Sequence, residues 1–355
     1  MIKKLLSAIA VAILPLCVLP AQEYRLSTPN TTLIVNNDNG VARLVYYGPK
    51  IDESTSTNDM RAARMTFDRE SYYAFGVHSN EERALAITQP DGSLTLDLKV
   101  EGIKKTSDAD GTTIEIDMKD KVYPLYVRQY FKAFNGTDII STWTDIVNSA
   151  KKSVALEMFA SAQIPIARSD NYITHFHGGW AAECFMNEQQ ITDGQIVVSN
   201  KYGIQNTHAD NPSVMISVGG KATENSGTVF GGALAWSGNY KIKARAAGGS
   251  QLEVLAGINE ETSRYILDGG KTFTTPEFIM TYSTEGKGGV SRAFHRWARK
   301  YALAHGDQER MILLNSWEGV YFNIDEKTMD QMMGDIASLG GELFVMDDGW
   351  FGDKY

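Results

Sequence analysis

Two short runs toward the C-terminal end bring together residue types that suit a sugar. Asn315-Ser-Trp-Glu318 follows the apolar run Met311-Ile-Leu-Leu314, and Asp347-Asp-Gly-Trp-Phe-Gly352 follows Leu343-Phe-Val-Met346. A pyranose has an apolar C–H face and a ring of hydroxyls. An indole can cover that face, burying apolar area at about 25 cal/mol per Å². Adjacent carboxylates can accept from neighbouring hydroxyls, and a hydrogen bond to a charged group contributes about 1.5–3 kcal/mol. Trp317, Asp347 and Asp348 are therefore candidate substrate-binding residues, and Trp350 belongs to the same run. Gly349 and Gly352 allow the tight turn that would face both acids inward. Taken singly, an Asp-Asp-Gly run after a strand is usually a polar turn and a Trp is usually core. Their occurrence at the same ends of consecutive strands is what points to chemistry.

That placement depends on the elements around them. Met311–Leu314 and Leu343–Met346 read as strands buried on both faces. Between them Asn323 is placed to cap a helix, with Glu326 completing a capping box. Met329, Met332, Met333, Ile336 and Leu339 form its buried stripe, and Gly340-Gly341 ends it. Strand, helix and strand with short links form a βαβ unit, with parallel strands and a right-handed crossover. Ligands of α/β barrels lie at the C-terminal ends of such strands, where Trp317 and Asp347/Asp348 fall.

Upstream, from Tyr24 to about Glu285, the pattern is strand after strand. Thr31–Val35 leads through Asn36-Asn-Asp-Asn-Gly40 to Ala42–Tyr47. In Ser93–Val100, Leu94, Leu96, Leu98 and Val100 share one face, the period of two of a half-buried strand. Thr112–Met118, Val122–Phe131 and Asp138–Ile146 continue the series. Asp91-Gly92, Asp110-Gly111, Asn135-Gly136 and Asp268-Gly269 are turn dipeptides. Many short strands with regular turns imply a large antiparallel sandwich. Val290, Phe294, Trp297, Ala298 and Tyr301 then mark an amphipathic helix, with Gly286–Gly289 as a hinge before it.

The two runs near the C-terminus resemble the opening barrel signatures of glycoside hydrolase family 36 α-galactosidases. Weaker likenesses extend the match: Gly178-Gly-Trp180 with Glu183, Ser199–Gly203, His208, Asn211-Pro212, Ala235-Trp-Ser-Gly-Asn239 and Phe294-His-Arg-Trp297. The resemblance implies a β-rich fold. A signal peptide over 1–21 precedes a large N-terminal antiparallel β-supersandwich over 22–285. A linker helix over 286–306 leads to the start of a catalytic (β/α)8 TIM barrel over 307–355, incomplete after its first strand–helix–strand unit. It implies removal of terminal α-linked galactose from raffinose- and melibiose-type oligosaccharides by retaining double displacement. Asp347 and Asp348 match the acids that bind the galactose O4 and O6 hydroxyls, and Trp317 matches the aromatic that closes the pocket. The family's nucleophile sits in a Lys-Trp/Tyr-Asp context, and no such run occurs here. No catalytic residue is therefore assigned, and the 355 residues alone are expected to be inactive. Members of that family often form tetramers. Ser79-Asn-Glu-Glu-Arg83 departs from an Asp-Phe-Arg run that family members often carry there. An α-N-acetylgalactosaminidase, or a non-catalytic carbohydrate-binding or assembly module, is the competing expectation.

Composition bounds the remainder. The chain has 355 residues, 43% of them hydrophobic and 10% aromatic, which is a folding composition. The formal net charge of −9 disfavours nucleic acid and anionic membranes as partners. Lys3 and Lys4 followed by the apolar Leu5–Leu19, too short to span a bilayer comfortably, read as a secretory signal cut after Ala21. Its loss would leave the charge at −9 − 2 = −11. A periplasmic or extracellular location follows. Cys17 raises a lipoprotein alternative that Leu16 argues against. Without Cys17, Cys184 has no intramolecular partner, and it reads as inert packing. His175 and His177 share one face of a strand, as zinc ligands can, yet no further ligand stands at a recognisable spacing, so no metal and no cofactor is expected. Asp108 and Asp110 lack the acids of a Ca²⁺ loop, and Gly248-Gly249 lacks a phosphate-loop pattern.

Overall fold

The computed structural model describes residues 22–77, 82–204, 210–246 and 251–352. Residues 1–21, read above as a signal segment, and Ser79–Glu81, His208 and Gly248-Gly249 lie outside them. The chain divides into two compact units, one reaching to Trp297 and the other running from Ala298.

The first unit is the expected antiparallel sandwich. A ten-stranded and a six-stranded antiparallel sheet are joined by a four-stranded one. Period-two alternation builds the large sheet. In Gly111–Asp120 the side chains of Ile114, Ile116 and Met118 turn inward, and in Leu125–Phe134 those of Leu125, Val127 and Phe131 do so. The two strands pair antiparallel with Ile114 opposite Phe131. Val154–Ala167 is the long central strand of the six-stranded sheet and is buried almost throughout. It pairs with Leu85–Thr88, Gln251–Ile258 and Tyr265–Leu267. Leu33 and Val35 of the small sheet join Ile87, Leu156 and Ile164 of the second and Phe131, Phe230 and Phe278 of the largest in one apolar core. The Asn36–Gly40 turn closes on Asn39 and Gly40, both with positive φ, the conformation that a two-residue hairpin matched to strand twist requires.

Two local expectations are corrected. Ser93–Val100 is not a strand throughout. The strand is Leu98–Ser107; Leu96 is buried against Gly76 by an isolated bridge, and Leu94 is exposed. Gly286–Gly289 is no hinge but the first turn of the helix Gly286–Trp297. A Cβ on Gly289 would stand 2.1 Å from Ser283 Oγ, so the glycines bring helix and sheet together. Val290 and Ala293 bury the helix against the sheet, with Phe294 and Trp297 packed around Ile139 and Ile279. The helical path continues as the π-helical turn Ala298–Ala302, and the divide between the units falls between these two segments.

In the second unit Leu313–Asn315 and Leu343–Val345 pair in parallel, with Asn315 opposite Val345 and the helix Glu326–Ser338 between them in sequence. Two expectations fail here. The helix cap is Asp325, whose carboxylate accepts from Thr328 N, and not Asn323. The two apolar runs are not buried on both faces. Met311, Ile312, Leu313, Leu343 and Met346 are exposed, and of the helix stripe only Met329 is fully buried. Two strands and one helix lack the area to cover both sides of a sheet. No closed barrel is present among the described residues.

Candidate active site at the ends of the parallel strands

The chain leaves the strand Leu313–Asn315 and turns at once into the four-residue helix Trp317–Val320. Ser316 occupies the N-cap position of that helix, yet its side chain caps nothing there. It is fully buried, and its hydroxyl accepts instead from the Asp347 backbone N–H at 3.0 Å. Its own N–H donates to Val345 O at 2.9 Å. The Asn315 side chain works on both sides. Its amide Nδ2 donates to Asp347 Oδ2 at 2.6 Å, and its Oδ1 accepts from Trp317 N at 2.7 Å. The two strand ends are thereby stitched together, and the expected neighbours Trp317 and Asp347 become neighbours in fact.

Asp347 is half-buried, and its second oxygen accepts from Asp348 N at 2.7 Å. The Asn315 amide first, and the Asp348 N–H after it, hold the Asp347 carboxyl below the usual carboxylate range. Asp348 is exposed. Gly349 and Gly352 both take positive φ, as the tight turn demands. A Cβ on Gly349 would lie 3.1 Å from Phe322 Cα, so the acidic loop lies directly against the segment that follows the Trp317 helix.

Trp317 is half-buried rather than packed into a core. The rings of Tyr321 and Phe322 meet it edge-on at centroid distances of 5.3 and 4.9 Å. Tyr321 has a φ of 49°, an uncommon conformation for a non-glycine residue, and its hydroxyl donates to Glu318 at 3.2 Å. Trp350 is 69% exposed and contacts the Phe351 ring; of the four predicted residues it has the least support around it. Sequence reasoning singled out neither Asn315 nor Ser316 by role. A short polar side chain at the last residue of a buried-type strand, just before a helix, is the signal that could have found them. Chemically, the arrangement offers an indole and two carboxylates on one open rim.

The other candidates do not form a second centre. His175 and His177 do share a face, and their Nδ1 atoms lie 3.7 and 3.2 Å from Asp210 Oδ1. Among the described residues no group of three or more His, Cys, Asp or Glu side chains is arranged to hold a metal ion. Cys184 is exposed, with a φ of 59°, in a hairpin whose tip carries the exposed Trp180, and so is not packing.

The family profile described as the glycosyl hydrolase family 36 N-terminal domain matches residues 40–268, and the melibiase profile matches residues 272–355. Probable alpha-galactosidase C of Aspergillus flavus is 31% identical over 251 residues, covering 70% of this chain and 33% of its own length. Alpha-galactosidase Mel36A of Lactobacillus acidophilus is 28% identical and covers 91% of this chain and 48% of its own. The crystal structures of variants of the family 36 alpha-galactosidase AgaA from Geobacillus stearothermophilus, in complex with stachyose and with raffinose, superpose with TM-scores of 0.84 and 0.85. They are 24% and 23% identical to it, a likeness of fold, and each match covers 94% of this chain and 51% of that one. The chain thus spans about a third to a half of the length of these relatives. With the two profiles covering nearly all the described residues, the chain belongs to glycoside hydrolase family 36.

Proposed function

We propose that the protein expressed from its whole gene removes terminal, non-reducing α-linked galactose from oligosaccharides of the raffinose and melibiose type. The observation that carries the reading is the 2.6 Å bond from Asn315 to Asp347, which unites the Trp317 and Asp347/Asp348 loops on one rim. Relatives named alpha-galactosidases, and family structures with raffinose and stachyose, support the substrate class.

The roles follow from the chemistry of each group. The Trp317 indole lies against the apolar face of the sugar. An ionised carboxylate offers about four acceptor positions, and Asn315 and Asp348 N each fill one on Asp347. Two remain for hydroxyls of the sugar, and Asp348 supplies further acceptors. Because Asp347 is held as the anion, it accepts from both hydroxyls without first losing a proton. The reaction is a retaining double displacement, in which one carboxylate attacks the anomeric carbon and a second acts as acid and then base. Neither is assigned among these 355 residues. Secretion to the periplasm, from Lys3, Lys4 and the apolar Leu5–Leu19, and assembly as a homotetramer complete the reading.

The whole-gene protein should release galactose from an aryl α-galactoside. Asp347→Asn should lower kcat/KM on the order of 100-fold, as loss of a charged acceptor to a substrate hydroxyl does. Undiminished turnover by that variant would remove Asp347 from the site. Turnover of an aryl α-N-acetylgalactosaminide in place of the galactoside would move the specificity to the acetylated sugar.

A further inference from the structure

Among the described residues, Asp347 has no counter-ion on either segment of the site. No Lys or Arg occurs in residues 311–324 or 342–352. The other carboxyls of those segments are Asp348 beside it, Glu318, which accepts from the Tyr321 hydroxyl, and Glu342, which accepts from Ile312 N. All of these are like charges. Among the described residues the Asp347 carboxylate accepts from two neutral donors, the Asn315 amide at 2.6 Å and Asp348 N at 2.7 Å.

That amide is itself fixed. Asn315 is the last residue of its strand, opposite Val345, and its Oδ1 is occupied by Trp317 N at 2.7 Å. With Oδ1 on the tryptophan backbone, Nδ2 can only face the acid. Ser316 clamps the Asp347 backbone from the other side through a buried hydroxyl. One strand end thus sets the orientation of the acid's main chain, one of its two oxygens and the start of the helix that bears the indole.

We propose that Asn315 is the positioning residue of the sugar site, keeping Asp347 ionised and aimed while tying it to Trp317. The proposal rests on the α-galactosidase reading for its effect on turnover. Its effect on Asp347 can be read without that reaction. A carboxylate deprived of its donor is easier to protonate, so the acid limb of the pH profile moves upward when Asn315 is changed.

Two variants separate positioning from support of the fold. Asn315→Asp keeps an acceptor for Trp317 N and replaces the donor with a second carboxylate, so that the pair holds a shared proton. Asn315→Ala removes both contacts. With the whole-gene protein and an aryl α-galactoside, Asn315→Asp should lower kcat/KM about tenfold or more near neutral pH, mostly through KM. It should also raise the acid limb by about one pH unit or more. Asn315→Ala should show a similar loss with a smaller shift. A profile for Asn315→Asp that superimposes on the parent overturns the proposal. So does a loss that merely tracks the folded fraction with the limb unmoved. If the parent protein cleaves no α-galactoside, the functional reading fails by itself. Carboxyl ¹³C titration of Asp347 in the 355-residue chain then decides the inference: its midpoint rises in Asn315→Ala if the proposal holds and stays put if it does not.

Discussion

In the sandwich, apolar side chains from three antiparallel sheets vanish into one core, and Phe131, Phe230 and Phe278 are fully buried. In the Ala298–Gly352 unit, Met329 is the single fully buried hydrophobic residue among those described, while Met311, Ile312, Leu313, Met333, Leu339, Leu343 and Met346 are exposed. Yet this sparsely buried stretch holds the close polar geometry of the candidate site. A few directional contacts of the Asn315–Asp347 bracket set that geometry, where the sandwich adds a large apolar core to hydrogen bonds such as that from Ser71 to Gln129. Burial scales with area and makes a sheet stable. Hydrogen bonds have angles and lengths, and these fix where one carboxylate points. The unit that carries the candidate site need not be the unit that stabilises the chain.

The contrast can be broken by mutation. Phe278→Ala, in the centre of the sandwich, should cost about 3–5 kcal/mol, measured by denaturant unfolding. A cost below 1 kcal/mol would show that the core is not shared across the sheets as described. Gly231→Val should follow at about 1–3 kcal/mol, because even a Cβ there would stand 2.3 Å from Val290 Cγ1 and force the helix Gly286–Trp297 off its sheet. Near-parental stability in that variant would place the helix elsewhere. Asp325→Ala should lower the melting temperature of the second unit by a few degrees, on the order expected for a lost cap. The backbone N–H of Thr328 and then its side chain hold the Asp325 carboxyl below its ordinary value. The contribution of this group is complete above an unfolded carboxyl value of about 4 and fades as pH falls through the lower folded value. The gap between parent and variant should therefore close in acid, and a gap independent of pH between 2 and 6 would contradict the cap. Met333→Ser, on an exposed part of the helix stripe, should change stability by no more than about 0.5 kcal/mol in this chain.

Much of this was legible in the residues. Alternation in Thr112–Met118 gave the strand and its inward face, because period two follows from the pleat whatever the neighbours are. The short links and apolar runs gave the βαβ order, and the order gave the rim on which Trp317 and Asp347 meet. Leu94 was misread because alternation alone does not say where a ladder begins; pairing with a partner strand does. Gly286–Gly289 was misread because a glycine needed for close approach and a glycine needed for bending look alike in one dimension. Asn323 has the side chain of a good cap, but the backbone path puts the cap two residues later, at Asp325.

What the sequence determined by itself was therefore the class of the elements, their order and the residue types on the rim, all consequences of periodicity and local propensity. What only the tertiary structure decided was which atoms answer one another across 30 or so positions. Nothing in the run Asn315-Ser-Trp says that the amide turns to Asp347 and the buried hydroxyl to its backbone rather than to the helix it begins. Side-chain direction is settled by the register of two parallel strands, and register is a property of the paired chain, not of either segment alone.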